Sequence, residues 1–233
     1  VIFFHDLRLV IKIGGHLFST KDGVSVEWIK QAADILREAH SENDKWVVVV
    51  GGGVGARAFI EAAKRLGADE TRCDEIATEV TRIHAALFIQ ALGEKAYPLV
   101  VKNVDDLRAA LVGKGIAVAG GFWPGQSTFA VATYCAETIR AERLIVASNV
   151  EGIYNKDPKI HSDARILPRL SYAELRKIMA GSPQLAGEYR LIDNVGLSIL
   201  ERSRIKLSII DGRDVRNIRR AILEGYAGTV VEG

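Results

Sequence analysis

Three glycine runs, each closing an apolar segment, are the residues of this chain best suited to chemistry: Gly14-Gly15, Gly51-Gly52-Gly53 and Gly120-Gly121. Glycine lets backbone N–H groups come close to an anion, and a helix N-terminus behind the turn adds the positive end of its dipole. One such turn is common for steric reasons alone. Three on one sheet edge point to a long polyanionic ligand, or to two phosphorylated ligands that meet. Two cations accompany the runs. Lys12 precedes Gly14-Gly15, and Arg57 follows Gly51-Gly52-Gly53. A lysine is a compact point charge suited to a migrating phosphoryl group, and an arginine fork binds phosphate through two parallel bonds. No nucleophile–base pair stands out. His5, His16, His40, His84 and His161 are scattered without metal or triad spacing. Of these only His16, beside the first turn, draws functional suspicion. His40 ends a helix, and His84 reads as a packed or solvated mid-helix residue. The missing base agrees with phosphoryl transfer, where positioning and charge neutralisation carry most of the catalysis.

Two other readings of the glycines fail. Gly53-Val54-Gly55-Ala56-Arg57-Ala58 fits the dinucleotide pattern G-x-G-x-x-A, and Asp74 lies near the spacing of the ribose-binding acid. That acid should end a second apolar strand, yet Gly67-Ala68-Asp69-Glu70-Thr71-Arg72-Cys73 is polar. A Walker A loop, G-x-x-x-x-G-K-[ST], does not occur.

The elements that must hold these turns alternate along the chain. Strands are expected at Arg8–Ile13, Trp46–Val50, Tyr97–Val101, Ile116–Ala119, Leu144–Ala147, Ile205–Ile210 and Thr229–Val231. Helices are expected at Val26–His40, Gly55–Leu66, Asp74–Leu92, Asp105–Leu111, Phe129–Ile139, Val215–Glu224, from Ser171 to about Ala180, and up to Ser203. Ser25 suits an N-cap, and Ser171 with Glu174 forms a capping box. Gly181–Asp193 reads as a loop. Trp46–Val50 has no polar interior residue, as in a parallel strand buried on both faces. Strands separated by helices imply right-handed βαβ crossovers and an α/β fold with a mostly parallel sheet. Ser148–Pro168 is the one candidate boundary within the chain.

Composition narrows the function classes. Of 233 residues, 48% are apolar and 26% charged, which suits a soluble globular protein. Net charge is +2, from 31 basic and 29 acidic residues, too small an excess for binding nucleic acid by phosphate neutralisation. The longest nearly apolar stretch, Trp46–Ala56, falls short of the ~20 residues of a membrane span. Val1–Asp6 is too short and too lightly charged for a signal peptide. Cys73 and Cys135 lack metal spacing and read as buried thiols of a cytoplasmic protein.

Four motifs together resemble a known family. Val10-Ile11-Lys12-Ile13-Gly14-Gly15 and Val49-Val50-Gly51-Gly52-Gly53-Val54-Gly55-Ala56-Arg57 are similar to the two phosphate turns of the amino acid kinase superfamily. Ser148-Asn149-Val150-Glu151-Gly152-Ile153-Tyr154-Asn155-Lys156-Asp157-Pro158 is similar to its nucleotide loop, T-N-V-D-G-V-Y-x-x-D-P. Gly120-Gly121-Phe122-Trp123-Pro124-Gly125-Gln126-Ser127-Thr128 resembles the acceptor loop of one branch, the archaeal uridylate (UMP) kinases. The likeness runs from about Leu9 to Val231.

The resemblance implies a three-layer α/β/α sandwich of one domain, with an acceptor lobe over about 1–147 and an ATP lobe over about 148–233. It implies transfer of a phosphoryl group from ATP to UMP in pyrimidine nucleotide synthesis, with Mg²⁺, by a cytoplasmic homohexamer with no nucleic-acid or membrane partner. Lys12 and Arg57 would be catalytic. Gly15, His16, Gly53, Arg57, Ser148, Asn149, Tyr154 and Asp157 would hold ATP. Gly52, Asp74, Phe122, Trp123, Pro124, Gly125, Gln126, Ser127 and Thr128 would hold UMP. Metal ligands are not identifiable. Phe129 stands where many relatives have Asp, and Ser198 where they have Lys. The alternatives are a superfamily kinase with a carboxylate, carbamate or isopentenyl phosphate acceptor, or a non-catalytic relative that binds nucleotide or oxoanion.

Overall fold

The computed structural model describes residues 6–113, 115–156, 158, 160–181, 191–225 and 227–233. The strands are β1 (Arg8–Ile13), β2 (Ser19–Thr20), β3 (Gly23–Val24), β4 (Lys45–Val50), β5 (Ile116–Ala119), β6 (Arg143–Ser148), β7 (Arg169–Leu170), β8 (Lys206–Asp211) and β9 (Thr229–Val231). The helices are α1 (Val26–Ala39), α2 (Gly53–Arg65), α3 (Glu70–Leu92), α4 (Val104–Ala110), α5 (Thr128–Ile139), α6 (Tyr172–Gly181), α7 (Asn194–Ser203) and α8 (Arg216–Leu223). Among the described residues, seven strands form one sheet in the order β5-β4-β1-β6-β8-β9-β7, and β2 pairs with β3 in a separate hairpin. Only the β8–β9 pair in the large sheet is antiparallel.

The central strands are apolar on both faces because helices cover both. Leu9, Ile11, Ile13, Trp46, Val48 and Val50 face a core with Phe18, Trp28, Leu36, Phe88 and Ile218. Val10, Val47 and Val49 face the opposite core, with Phe129, Val131, Leu175 and Leu197. Strand side chains alternate between faces, so Lys12 leaves β1 on the Val10 face, where α5 packs. This is the expected three-layer α/β/α arrangement.

In the large sheet β4, the next strand of that sheet in the chain, lies on one side of β1, and β6 lies on the other. That reversal makes a topological switch point, and ligands bind beyond the carboxyl ends of strands there. Gly14, Gly51 and Gly120 follow the last residues of β1, β4 and β5 on that edge.

Side chains set several helix starts. Ser25 accepts from Trp28 N at 3.4 Å, and Ser171 and Glu174 form the reciprocal capping box. α3 begins earlier than expected because Asp69 is its N-cap, accepting from Arg72 N at 2.8 Å. Asp74 therefore lies inside a helix.

Tyr97–Val101 is not a strand. Pro98 has no N–H to give a ladder, and the segment bends at 98–99, leaving isolated bridges from Ala96 and Val101 to β5. The β2–β3 hairpin and β7 were not anticipated; each of these strands has two residues. Most of the expected Gly181–Asp193 loop lies outside the described residues.

Candidate active site

The two phosphate turns touch backbone to backbone. A Cβ on Gly15 would lie 2.3 Å from Gly53 N and 2.6 Å from Gly51 O. A Cβ on Gly53 would lie 2.4 Å from Gly15 C, and Gly53 has φ +59°, the left-handed region. Only glycines allow this approach. β1 and β4 bring the turns together, with Gly14 N donating to Ala147 O and Gly51 N to Ile13 O. Behind them α2 starts at Gly53; Ser19 Oγ accepts from Gly55 N at 2.9 Å, while the N–H groups of Gly53 and Val54 have no partner among the described residues and remain open to an anion.

Three basic groups converge on the turns. Lys12 is 7% exposed and has no hydrogen bond or ion pair among the described residues. Burial pushes its pKa down to about 8, so it remains mostly charged at neutral pH. The His16 ring folds over Gly14, with Nε2 3.3 Å from Ser148 Oγ. Burial, with Lys12 and then Arg57 close by, pushes His16 down to about 4, so the ring is neutral. Arg57 is on the exposed side of α2 and free of any carboxylate among the described residues. Unpaired positive charge at a buried edge is costly unless an anion joins it. The arrangement therefore suits an anion.

A cleft of about 360 Å³ opens beside the second turn. Gly52, Asp74, Gly125, Gln126, Ser127 and Thr128, six of the residues expected to hold UMP, line it together. Gly53, expected to hold ATP, also reaches it. Gln126 Oε1 is buried with no hydrogen-bond partner among the described residues, an unpaired acceptor beside the cleft. The rest of the loop does not line it. Phe122 is buried in the core, Trp123 is 61% exposed, and Pro124 borders a neighbouring surface groove with Phe59 and Ile83. Ala56, Thr78 and Thr81 are lining residues that sequence reasoning missed. Thr78 and Thr81 follow Asp74 at helical spacing, a signal that becomes readable only once the helix is known to start at Glu70.

On the other side of the switch point, Ser148 ends β6, almost fully buried, and its carbonyl accepts from Gly212 N at 2.7 Å. Asn149 follows, exposed. Tyr154 donates to Glu151 Oε2 at 2.8 Å. A cavity of about 770 Å³ beyond the end of β8 is lined by Glu151, Ile166, Asp211, Asn217 and Gly228. Arg213 grips Asp211 through both carboxylate oxygens and holds its pKa below the usual range. Asp211 and Asn217 were also missed, although Asp211-Gly212 repeats the strand-then-glycine pattern of the other turns. Asp157 lies outside the described residues.

The departures at Phe129 and Ser198 are structural. Phe129 packs so closely on α7 that a Cβ on Gly196 would lie 2.6 Å from its ring. Ser198 donates to Asn194 O and accepts from Arg176. Asp193 caps α7 by accepting from Gly196 N, and also accepts from Ser127 Oγ, the cap of α5. The cysteines are both buried and free.

The profile of the Amino acid kinase family matches residues 7–211. The chain belongs to the amino acid kinase family. It is 41% identical to a uridylate kinase of Hyperthermus butylicus, covering 97% of this chain and 98% of that protein. It is 42% identical to a uridylate kinase of Methanothermobacter thermautotrophicus, over 97% and 99% respectively. The crystal structure of uridylate kinase from Archaeoglobus fulgidus superposes with a TM-score of 0.86 at 35% identity, covering 97% of this chain and all of that one. As an amino acid kinase family member the chain keeps its glycine turns at the carboxyl edge of the sheet, beside Lys12.

Histidine burial gives this family member an acid sensitivity. His40 packs edge-on against Trp46 with both ring nitrogens unpartnered among the described residues, and burial outweighs the opposing pull of Asp44 to lower its pKa. His16 is lowered as well. Unfolding restores the ordinary histidine pKa near 6.5, so the unfolded chain binds more protons below that pH. The histidines' contribution to stability is full above about pH 6.5 and is lost as pH falls through the lowered values, about 4 for His16. The Tm should therefore drop steadily between pH 7 and 4.5, and His40→Phe should flatten the drop. A Tm that is level or rises on acidification contradicts this.

Proposed function

We propose that this protein is an ATP-dependent UMP kinase, converting ATP and UMP to ADP and UDP for pyrimidine nucleotide synthesis. The observation that carries the reading is the pair of glycine turns in backbone contact, with Lys12 beside them and an acceptor-sized cleft on one side. Two phosphorylated ligands that must meet in line need two adjoining anion cradles, and catalysis then rests on position and charge. The curated uridylate kinases that match along nearly the whole chain support the same reading.

In this reading Gly15, His16 and Gly53 hold the ATP phosphates, and Lys12 meets the transferred group. Arg57 binds phosphate where donor and acceptor join. Ser148, Asn149, Tyr154 and Asp157 hold the adenosine end, with the cavity past β8 beside them. Gly52, Asp74 and the Gly125–Thr128 stretch hold UMP, while Phe122, Trp123 and Pro124 shape the loop. The acceptor lobe covers about 1–147 and the ATP lobe about 148–233.

Among the described residues no group of three or more His, Cys, Asp or Glu side chains could hold a metal ion. That suits Mg²⁺, which is commonly bound through substrate phosphates and water with few protein carboxylates. The ion would enter on ATP and neutralise phosphate charge. No described helix is long and apolar enough to cross a membrane, and the proposed setting is the cytoplasm. The proposed assembly is a homohexamer, measurable by light scattering; Ile83 and Leu87 on α3 are apolar and exposed.

The test is a coupled ADP-release assay with UMP, CMP, dUMP and isopentenyl phosphate as acceptors. UMP should be preferred and CMP much poorer. Uracil offers an N–H at N3 where cytosine has a lone pair, and the unpaired Gln126 Oε1 favours the donor. A site left with unpaired buried groups rejects the wrong ligand strongly. Equal kcat/KM for UMP and CMP would sink the assignment of the base site. Turnover of isopentenyl phosphate alone would favour the other branch of kinases, and no ADP release a binding protein.

Asp74→Asn should raise the KM for UMP about 10–100-fold, the loss of a charged hydrogen bond worth roughly 1.5–3 kcal/mol. The KM for ATP should change little. If the ATP KM rises and the UMP KM does not, Asp74 serves the other ligand.

A further inference from the structure

One helix turn holds both halves of the site. Thr81 Oγ1 accepts from Gly121 N at 2.6 Å. Arg82 donates from Nε to Gly121 O at 3.1 Å and from Nη2 to Phe122 O at 2.9 Å. These bonds fix the start of the acceptor loop. The next turn-mate, His84, is buried and its Nδ1 lies 3.0 Å from Gly51 O, the carbonyl of the second phosphate turn. A carbonyl oxygen only accepts, so Nδ1 carries a proton and donates. Phe18 packs edge-on against the ring at 5.1 Å and prevents it from swinging away.

We propose that the Thr81–His84 turn of α3 is a positioning element, with Arg82 and His84 as positioning residues that set the separation between the acceptor loop and the phosphate turn. An α-helix rises about 1.5 Å per residue and is stiff over one turn. Groups fixed to one turn therefore cannot drift relative to each other. In-line transfer demands that constancy, because a misplacement of about 1 Å can cost about 10² in rate. α2 and β5, by contrast, are joined to the phosphate turn and to the acceptor loop as continuations of the chain, one to each. The proposal rests on the UMP kinase reading for its kinetic readout, but the two bond sets stand independently of it.

Four variants and two readouts decide it. Arg82→Met keeps the aliphatic stem and removes both donors to the loop. His84→Phe keeps the packed ring and removes the N–H. Arg82→Lys retains one donor. His84→Asn places an amide nitrogen near the old Nδ1. Arg82→Met should raise the UMP KM at least about tenfold, as for lost charged hydrogen bonds, with the ATP KM within about twofold. His84→Phe should lower kcat about tenfold with less change in the UMP KM, and His84→Asn should recover most of that loss. Amide hydrogen exchange reports the order of the segments that these bonds hold, without any substrate. The Gly121 region should exchange faster in Arg82→Met and the Gly51 region faster in His84→Phe, each leaving the other region unchanged. Arg82→Lys should lie between parent and Met in both readouts. If Arg82→Met unfolds, Arg82→Lys carries its comparison, and if His84→Phe unfolds, His84→Leu, which also removes the N–H, carries that one. Folded loss variants with unchanged local exchange, or with both regions loosened alike, overturn the proposal. If the parent protein does not phosphorylate UMP, the functional reading fails and the exchange pattern alone decides the positioning role.

Discussion

Replacing Lys12 with methionine is expected to cut kcat about 10²–10³-fold while leaving both KM values within a few-fold. Removing one preorganised charged group from a site where charge develops typically has that effect. The structure adds reasons specific to this residue. Lys12 is nearly enclosed, has no competing ion pair among the described residues, and leaves β1 on the face toward α5 beside the first glycine turn. A lysine that served only to reach solvent would not be so covered. In the proposed reaction its ammonium would stabilise phosphoryl oxygens more as their charge shifts than in the ground state, so the loss should fall on kcat. Methionine keeps the stem and its packing. Because burial brings Lys12 down to about 8, kcat/KM of the parent should also decline as pH rises through that value, since this ratio follows the free enzyme's ionisations. The measurement is kcat and both KM values, with circular dichroism on the variant. A folded Lys12→Met with kcat within about threefold of the parent, about 0.7 kcal/mol in barrier, would remove Lys12 from the mechanism.

Gly15→Ala should be nearly as damaging by a different route. The added methyl would meet Gly53 N at 2.3 Å and Gly51 O and C at 2.6 and 2.7 Å, all backbone atoms. Backbone cannot rotate aside as a side chain can, so one turn must retreat from the other. The two anion cradles then separate, and kcat/KM for both substrates should fall at least about 10²-fold. Gly14→Ala is the control. The atoms nearest its methyl would be those of the His16 ring, 2.5 Å to Cε1, and φ at Gly14 is −65°, which alanine adopts freely. The ring can turn away, so the control should lose under about tenfold, a barrier change below about 1.4 kcal/mol. Parallel kinetics and thermal melts on the two variants check the contrast. Gly15→Ala with parental kinetics would show that the turns need not touch.

What could be read from the sequence was what is local. Apolar runs ending in glycine located β1, β4 and β5, and hence the edge on which ligands meet. Lys12 was readable because strand alternation and the glycine pair fix its place. The capping box at Ser171 was readable because its partners are three residues apart. The contacts across sequence were not readable. Arg82 looks like any surface arginine on α3 until folding brings Gly121 and Phe122 to it, and His84 looks like packing until Gly51 arrives. The acceptor loop shows the same limit. Its residue types suggested one continuous binding stretch, but Phe122 turns inward to the core and Trp123 outward to solvent, so only part of the loop faces the cleft. Tyr97–Val101 was misread because β-propensity outweighed a single proline.

That bent segment also bears on solubility. An exposed strand edge offers a row of unpaired amides and carbonyls on which a second chain can grow, the usual seed of aggregation. At the β5 margin the row is already broken up, bridged at Ala96 and Val101 and interrupted by Pro98 between them. At the opposite margin β7 is two residues long, too short to template a partner. Among the described residues neither border of the sheet offers a long free edge, which favours helix surfaces as the place where copies of this chain would meet.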